Sequence, residues 1–382
     1  MIDKDYTGKF NGIETPFYFY DLKILKATLD TVKRESDKYG YEVHYALKAN
    51  PNPRILKLIA SYGFGADCVS GNEIAAALDA GFPPSGVVFA GVGKSDKEIE
   101  NALKANILCF NCESVPEMEV IDEIASRQKK VARIALRINP YIDAHTHKYI
   151  TTAIEESKFG INIEDLDEVV NRLSDLRNLK LIGIHFHLGS QITRMSVFKS
   201  LCARINELQE WFAGKNIDLD IINVGGGLGI DYENPENNPD FSEYLSLLNE
   251  FINLKPGQKL HLEPGRSLVG QSGSLITRVL YVKKGSNTLF AIVDAGMTDL
   301  IRPALYQAKH KIENITSSGK DLKYDVVGPI CESSDTFGKQ ITLSETKRGD
   351  LIAIRSAGAY GEAMASRYNL RNIPKSVFSE DL

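Results

Sequence analysis

Short apolar runs recur through the first two thirds of this chain, each followed by a stretch with helical period. That rhythm restricts the fold more than any other feature. The runs lie at 42–47, 65–69, 87–90, 107–111, 132–138, 181–187, 221–224 and 260–263. Helical patterns such as 72–78 and 115–126 lie between them. A strand followed each time by a helix pairs in parallel with the next strand, because the helix carries the chain back to the starting edge. Eight such units in about 220 residues predict a (β/α)8, TIM-like α/β barrel. The alternative is a doubly wound sheet. That fold more often has fewer strands and a phosphate loop after the first, and no such loop follows 42–47.

After Gly273 the pattern changes. Runs with β-branched alternation follow one another at 274–282, 288–293, 323–327, 340–343 and 351–354, with few helix signals between them. This predicts an all-β C-terminal domain, a sandwich or barrel, joined by the aromatic run at 16–20. The expected division is a barrel over 22–270 and a β domain made of 1–21 with 271–382. The first 14 residues are polar and suggest no element. The insert at 139–160 separates the fifth and sixth strands, and a long loop at that position is usually functional.

Composition removes several classes of function. A formal net charge of -5 and a pI near 5.9 argue against nucleic acid as a partner. No apolar run reaches the length of a membrane span. The opening MIDKDYTGKF carries no apolar signal region. Five scattered cysteines, an odd number, suit a reducing compartment, so a cytoplasmic protein is expected.

In a (β/α)8 barrel the chemistry sits at the C-terminal ends of the strands. Here the strand ends carry Lys48, Asp67 to Ser70, His185 to Ser190, Gly225 to Gly229 and Glu263 to Arg266. Lys48 closes an apolar strand, where burial would favour its neutral, nucleophilic form. Read alone, a strand-end lysine is more often a solvated charge. Glycines 225, 226 and 227 let backbone N–H groups approach an anion without a Cβ in the way. Loops after strands seven and eight commonly bind phosphate, and Ser190 and Arg266 could complete such a cup. A lysine nucleophile and a phosphate cup together suggest pyridoxal 5′-phosphate. Glu263 would then sit by the pyridine nitrogen, and His187 would lie against the ring. Without that cofactor, Glu263 reads as a partner of Arg266 and His187 as a core histidine. The pairs His185/His187 and His145/His147 and the CxxC of Cys109 and Cys112 raise a metallohydrolase. No second cysteine pair or carboxylate motif closes such a site, so no metal is expected.

The motifs YALKAN at 45–50, HLGS at 187–190, the glycines 225–227 and EPGR at 263–266 resemble the alanine-racemase-like barrel family of pyridoxal-phosphate decarboxylases. Further pieces sharpen the resemblance to the branch acting on meso-2,6-diaminopimelate. These are DAGM at 294–297 with IRPALY at 301–306, GPICES at 328–333, GAYG at 358–361, and AHTHK at 144–148 with SKFG at 157–160. The match runs from about residue 15 to 374. It implies decarboxylation to L-lysine and carbon dioxide, the last step of lysine biosynthesis. Lys48 would bind the cofactor aldehyde covalently, and His187 would stack on its ring. Asp67, Ser190, Gly225, Gly226, Gly227, Glu263, Gly265, Arg266 and Tyr360 would complete the cofactor site. Arg266, Arg302, Tyr306 and Tyr360 would bind substrate. Cys331, as proton donor, and Glu332, as ammonium ligand, would come from the partner in a homodimer with shared active sites. Without the resemblance, Arg302 and Tyr306 read as surface residues of the β domain.

Overall fold

A computed structural model describes residues 4–142 and 158–382. The chain forms two compact units. One comprises residues 29–229 and 240–265; the other comprises residues up to 28, 230–239 and 266–382.

The first unit is a closed parallel barrel. Its strands are Glu42–Ala46, Gly65–Cys68, Val87–Phe89, Cys109–Cys112, Ala132–Asn139, Leu179–His185, Ile221–Asn223 and Lys259–Leu262. Each pairs in parallel with the next. The eighth returns to the first, with Leu262 beside Val43, and closes the ring. Val88, Cys109, Ala135, Ile182 and Ile221 pack as one buried cluster. The strand-to-helix turns end in capping residues, which is why the helices start where they do. Asn52, Ser70 and Ser114 accept from the backbone N–H groups of Arg54, Glu73 and Glu117. Ser95 and Glu98 form a reciprocal capping box.

The first strand is one residue shorter than its apolar pattern. It stops at Ala46, and Leu47–Ala49 turn as one 3₁₀ loop carrying Lys48. Hydrogen bonds hold that loop: the Asn50 N–H donates to the Leu47 carbonyl, and the Tyr45 hydroxyl donates to the Asn50 carbonyl at 2.9 Å. Lys48 is thereby fixed just beyond the strand end.

The second unit is built on a mostly antiparallel sheet. Gly273–Lys284 pairs with Leu351–Ile354, Leu289–Val293 and the N-terminal Phe17–Tyr20. Asp321–Val327 and Thr336–Ser344 extend one side, and Ile312–Asn314 the other. Phe17–Tyr20 also pairs in parallel with Lys375–Phe378. The supposedly featureless N-terminus contains a helix, Lys4–Phe10. Tyr6 and Phe10, one turn apart, pack into a cluster with Phe17, Phe19, Ile276 and Leu351. A seven-residue helix with two apolar residues has no stability of its own, so only this packing makes it fold. Phe10→Ala is therefore expected to cost about 3–5 kcal/mol. Amide exchange in Phe17–Tyr20 would report it, and unchanged protection there would show the helix to be dispensable.

Candidate active site

The barrel unit gathers a lysine, two carboxylates and two histidines at the C-terminal ends of its strands. The Lys48 ammonium lies 3.2 Å from Oδ2 of Asp67 on the second strand. The lysine side chain is 34% exposed and the aspartate 1%. Lys48 is thus reachable from outside and paired with a carboxylate, rather than sealed in an apolar strand end. The Asp67 Oδ1 atom has no hydrogen-bond partner among the described residues.

Glu263 follows the eighth strand and is buried. Its Oε2 lies 2.9 Å from Nε2 of His185. Its Oε1 accepts from the side-chain amides of Asn223 at 2.7 Å and Asn111 at 3.3 Å. Burial pushes this carboxyl up. The charge and hydrogen bond of His185, with the Lys48 ammonium, outweigh burial and hold Glu263 well below the usual carboxylate range. Asp67 goes the other way: burial and the Glu263 charge raise it against the pull of Lys48 and His185. Two carboxylates that sense each other divide in this fashion. His187 stays neutral, because burial, Lys48 and Arg137 push it well below its ordinary value.

The 225–227 turn lies against both histidine and carboxylate segments. The Gly225 N–H donates to Asn223 Oδ1 at 2.9 Å, and the Gly226 N–H to His187 Nδ1 at 3.4 Å. A Cβ on Gly226 would collide with the Glu263 carbonyl oxygen, and one on Gly227 would lie 2.9 Å from the Gly189 carbonyl oxygen. Gly225 and Gly227 also have positive φ, at 70° and 109°. The half-buried Ser190 follows Gly189. Gly265 sits against Ala46 and Ala49, where a Cβ would come within 3.1 Å. A reachable amine, a side-chain-free backbone cradle and a buried carboxylate kept anionic together fit a phosphorylated aldehyde with a basic ring nitrogen.

The β unit holds the remaining candidates. Arg266 and Arg302 are both buried, so Arg302 is not the surface residue that its sequence context suggested. Arg266 donates to the Tyr232 hydroxyl and lies 4.8 Å from the centre of the Tyr360 ring. Arg302 opens the short helix Arg302–Tyr306 and lies 4.5 Å from the centre of the Tyr232 ring. Burial lowers Arg302 to about 10, and the Arg266 charge adds to that against the pull of Tyr232. Tyr306 is half-buried. Cys331 and Glu332 are exposed: the Cys331 N–H donates to Asn369 Oδ1 at 3.2 Å, and Glu332 accepts from the Tyr368 hydroxyl.

Sequence reasoning missed the donors to Glu263. His185 and Asn223 are the last residues of strands six and seven, so the strand-end rule contained the signal. Tyr232 and His310, which surround Arg302, carried none. Glu263 pairs with His185 and the two asparagines, not with Arg266, as the cofactor-free reading had it. Cys109 and Cys112 are separately buried, each sulfur 3.8 Å from its own acceptor. Among the described residues no three His, Cys, Asp or Glu side chains converge as a metal site. His145 and His147 lie outside the described residues.

Comparison with known proteins gives the same picture. Residues 24–270 match the pyridoxal-dependent decarboxylase, pyridoxal binding domain. A diaminopimelate decarboxylase of Bacteroides thetaiotaomicron is 57% identical over 377 residues, covering 98% of each chain. The crystal structure of diaminopimelate decarboxylase from Helicobacter pylori complexed with L-lysine superposes with a TM-score of 0.93 at 44% identity. It covers 99% of this chain and 94% of that one. The solved enzyme of M. jannaschii, also in complex with L-lysine, superposes at 0.91 with 32% identity, covering 98% of this chain and 89% of that one. A barrel that ends its strands on Lys48, His187, the glycine turn and Glu263 thus has relatives over its whole length, and the chain belongs to the pyridoxal-dependent decarboxylases, in the diaminopimelate decarboxylase branch.

Proposed function

We propose that this protein removes one carboxylate of meso-2,6-diaminopimelate as carbon dioxide and leaves L-lysine, using pyridoxal 5′-phosphate bound at the barrel mouth. The observation that carries the substrate is Arg302. It is a buried guanidinium that meets a tyrosine ring and a histidine, and no carboxylate pairs with it among the described residues. A buried charge needs a partner, and a substrate carboxylate supplies one. A decarboxylase of a simple diamine precursor on the same scaffold would have no use for it.

The bound cofactor supplies a ring that accepts the electron pair left behind by carbon dioxide. Lys48 is the amine that holds it, with Asp67 beside the Nζ atom. Glu263 stays anionic and favours a proton on the ring nitrogen. His187, neutral and flat, supports one face. Ser190, Gly225 to Gly227 and Gly265 receive the phosphate. Arg266, Arg302, Tyr306 and Tyr360 grip the substrate. The product keeps the L centre of the meso compound, so the gripped carboxylate belongs to that centre and the one lost to the D centre. In this reading the chain is a homodimer, and Cys331 and Glu332 come from the second copy. The Cys331 thiol delivers the proton to the carbon that lost carbon dioxide, and Glu332 meets the distal ammonium. Support for that surface comes from its exposed apolar residues: Tyr368, which binds Glu332, and Leu370 and Ile373. A thiol that must donate a proton also suits a reducing, cytoplasmic setting. No helix among the described residues is long and apolar enough to cross a membrane.

Carbon dioxide release from meso-diaminopimelate, lysine, ornithine and arginine, measured side by side, tests the substrate; preference for any of the last three overturns it. With cofactor supplied, the wild type should show an absorbance band near the visible edge that Lys48→Ala lacks. A wild type without the band would remove the cofactor. Cys331→Ala should slow turnover by about 10²–10⁴ while leaving the band in place. Mixing Lys48→Ala with Cys331→Ala protein should restore roughly a quarter of wild-type activity, because half of the random dimers carry one intact site. No recovery after subunit exchange would mean that each chain builds its own site.

A further inference from the structure

Arg302 and Arg355 are both buried in the β unit, yet they are held in opposite ways. Arg355 lies 3.0 Å from Glu313 and 3.7 Å from Glu236, so its charge is neutralised in place. Arg302 Nη1 instead lies 2.9 Å from Nε2 of His310. The other ring nitrogen, Nδ1, is 2.8 Å from the Arg355 carbonyl oxygen.

These two contacts leave one protonation state. A guanidinium only donates, so Nε2 of His310 must offer its lone pair. A carbonyl only accepts, so Nδ1 must carry the proton. His310 is therefore a neutral ring with a fixed tautomer. Burial and the Arg302 charge hold it down near 3, so it stays neutral at any working pH. The Tyr232 ring meets its edge, with centroids 4.8 Å apart, and His310 itself is buried. Arg302 Nε is also buried and has no hydrogen-bond partner among the described residues.

We infer that His310 is a positioning residue that sets specificity for the retained substrate carboxylate: it fixes the Arg302 guanidinium without neutralising it. A carboxylate at this place would hold the arginine equally well, but would leave it little attraction for a second anion. An apolar side chain would leave the charge intact but free to turn. A neutral acceptor does both tasks. The inference rests on the functional reading above and names a residue that reading does not use.

The test compares His310→Gln with His310→Glu, which share shape and differ in charge. L-Lysine keeps the gripped carboxylate, and 1,5-diaminopentane lacks it, so the two serve as competing inhibitors. His310→Gln should hold inhibition by lysine close to wild type. His310→Glu should weaken it by about ten- to a hundredfold, with a matching rise in KM for meso-diaminopimelate and a smaller change in kcat. Inhibition by 1,5-diaminopentane should stay nearly constant across all three proteins. Equal losses in Gln and Glu variants, or parallel losses for both inhibitors, would overturn the inference by showing that His310 only fills space. In the wild-type protein, nitrogen-15 labelling of histidine, with the His310 signals assigned by their loss in His310→Gln, should show a bare Nε2 and a protonated Nδ1 on that ring at neutral pH. A doubly protonated His310 would overturn the inference without any variant. A wild type that neither binds lysine nor decarboxylates meso-diaminopimelate would instead bring down the functional reading, and the inference with it.

Discussion

Three barrel strands converge on one buried carboxylate at the end of a fourth. Glu263 follows strand eight and takes hydrogen bonds from Asn111 on strand four, His185 on strand six and Asn223 on strand seven. An ion in that position would be costly if unpaired, by several kcal/mol on any scale. The donors are therefore a condition of the fold as well as of the chemistry. They also decide which of two neighbouring acids carries the firm negative charge. Glu263 is held down and Asp67 is raised, and the one with the softer charge is the one that faces Lys48. The partner of the reachable amine and the firmer anion are thus different acids.

The two units solve the problem of a buried charge differently. The barrel surrounds a carboxylate with neutral and weakly basic donors. The β unit lays two guanidinium groups on tyrosine faces, Arg266 on Tyr360 and Arg302 on Tyr232. Aromatic faces attract a cation without cancelling it. Where the unit needs an arginine purely as a fastener, as with Arg355, it uses glutamates. The choice of neighbour thus separates Arg355, whose charge glutamates cancel in place, from Arg302, which meets a tyrosine face and a neutral histidine.

Much of this is legible in the sequence. The strand–helix rhythm predicted the barrel because periodicity reports which faces are buried. The end-of-strand rule then turned a scattered set of polar residues into one mouth. Lys48, Glu263 and the 225–227 turn were legible because strand ends are local features of a sequence. His185 and Asn223 stood at the same ends, but their bonds to Glu263 span 78 and 40 residues and have no local trace. Tyr232 and His310 were hidden for a related reason. Each lies in a loop, and its role depends on a neighbour distant in the chain. The Lys4–Phe10 helix was illegible because its stability is borrowed from Phe17, Phe19 and Ile276. The residue roles at Cys331 and Glu332 came only from family resemblance. A lone exposed cysteine beside a glutamate says nothing by itself.

The segment 230–239 carries a consequence for how the molecule is made. It leaves the barrel after strand seven, contributes Tyr232 and Glu236 to the β unit, and returns to the barrel at the helix Phe241–Phe251. The β unit is thus sewn from three pieces of chain. Its earliest strand, Phe17–Tyr20, has its partners at Gly273–Lys284 and Lys375–Phe378. During synthesis the residues Phe17–Tyr20 emerge long before either partner and must wait, aromatic and unpaired, until Gly273–Lys284 has followed. The barrel can close on its own stretch of sequence while they wait. The nascent chain therefore has a built-in interval of exposed apolar surface, the kind of vulnerability that chaperones meet, and it closes in two steps, first at Gly273–Lys284 and then at Lys375–Phe378.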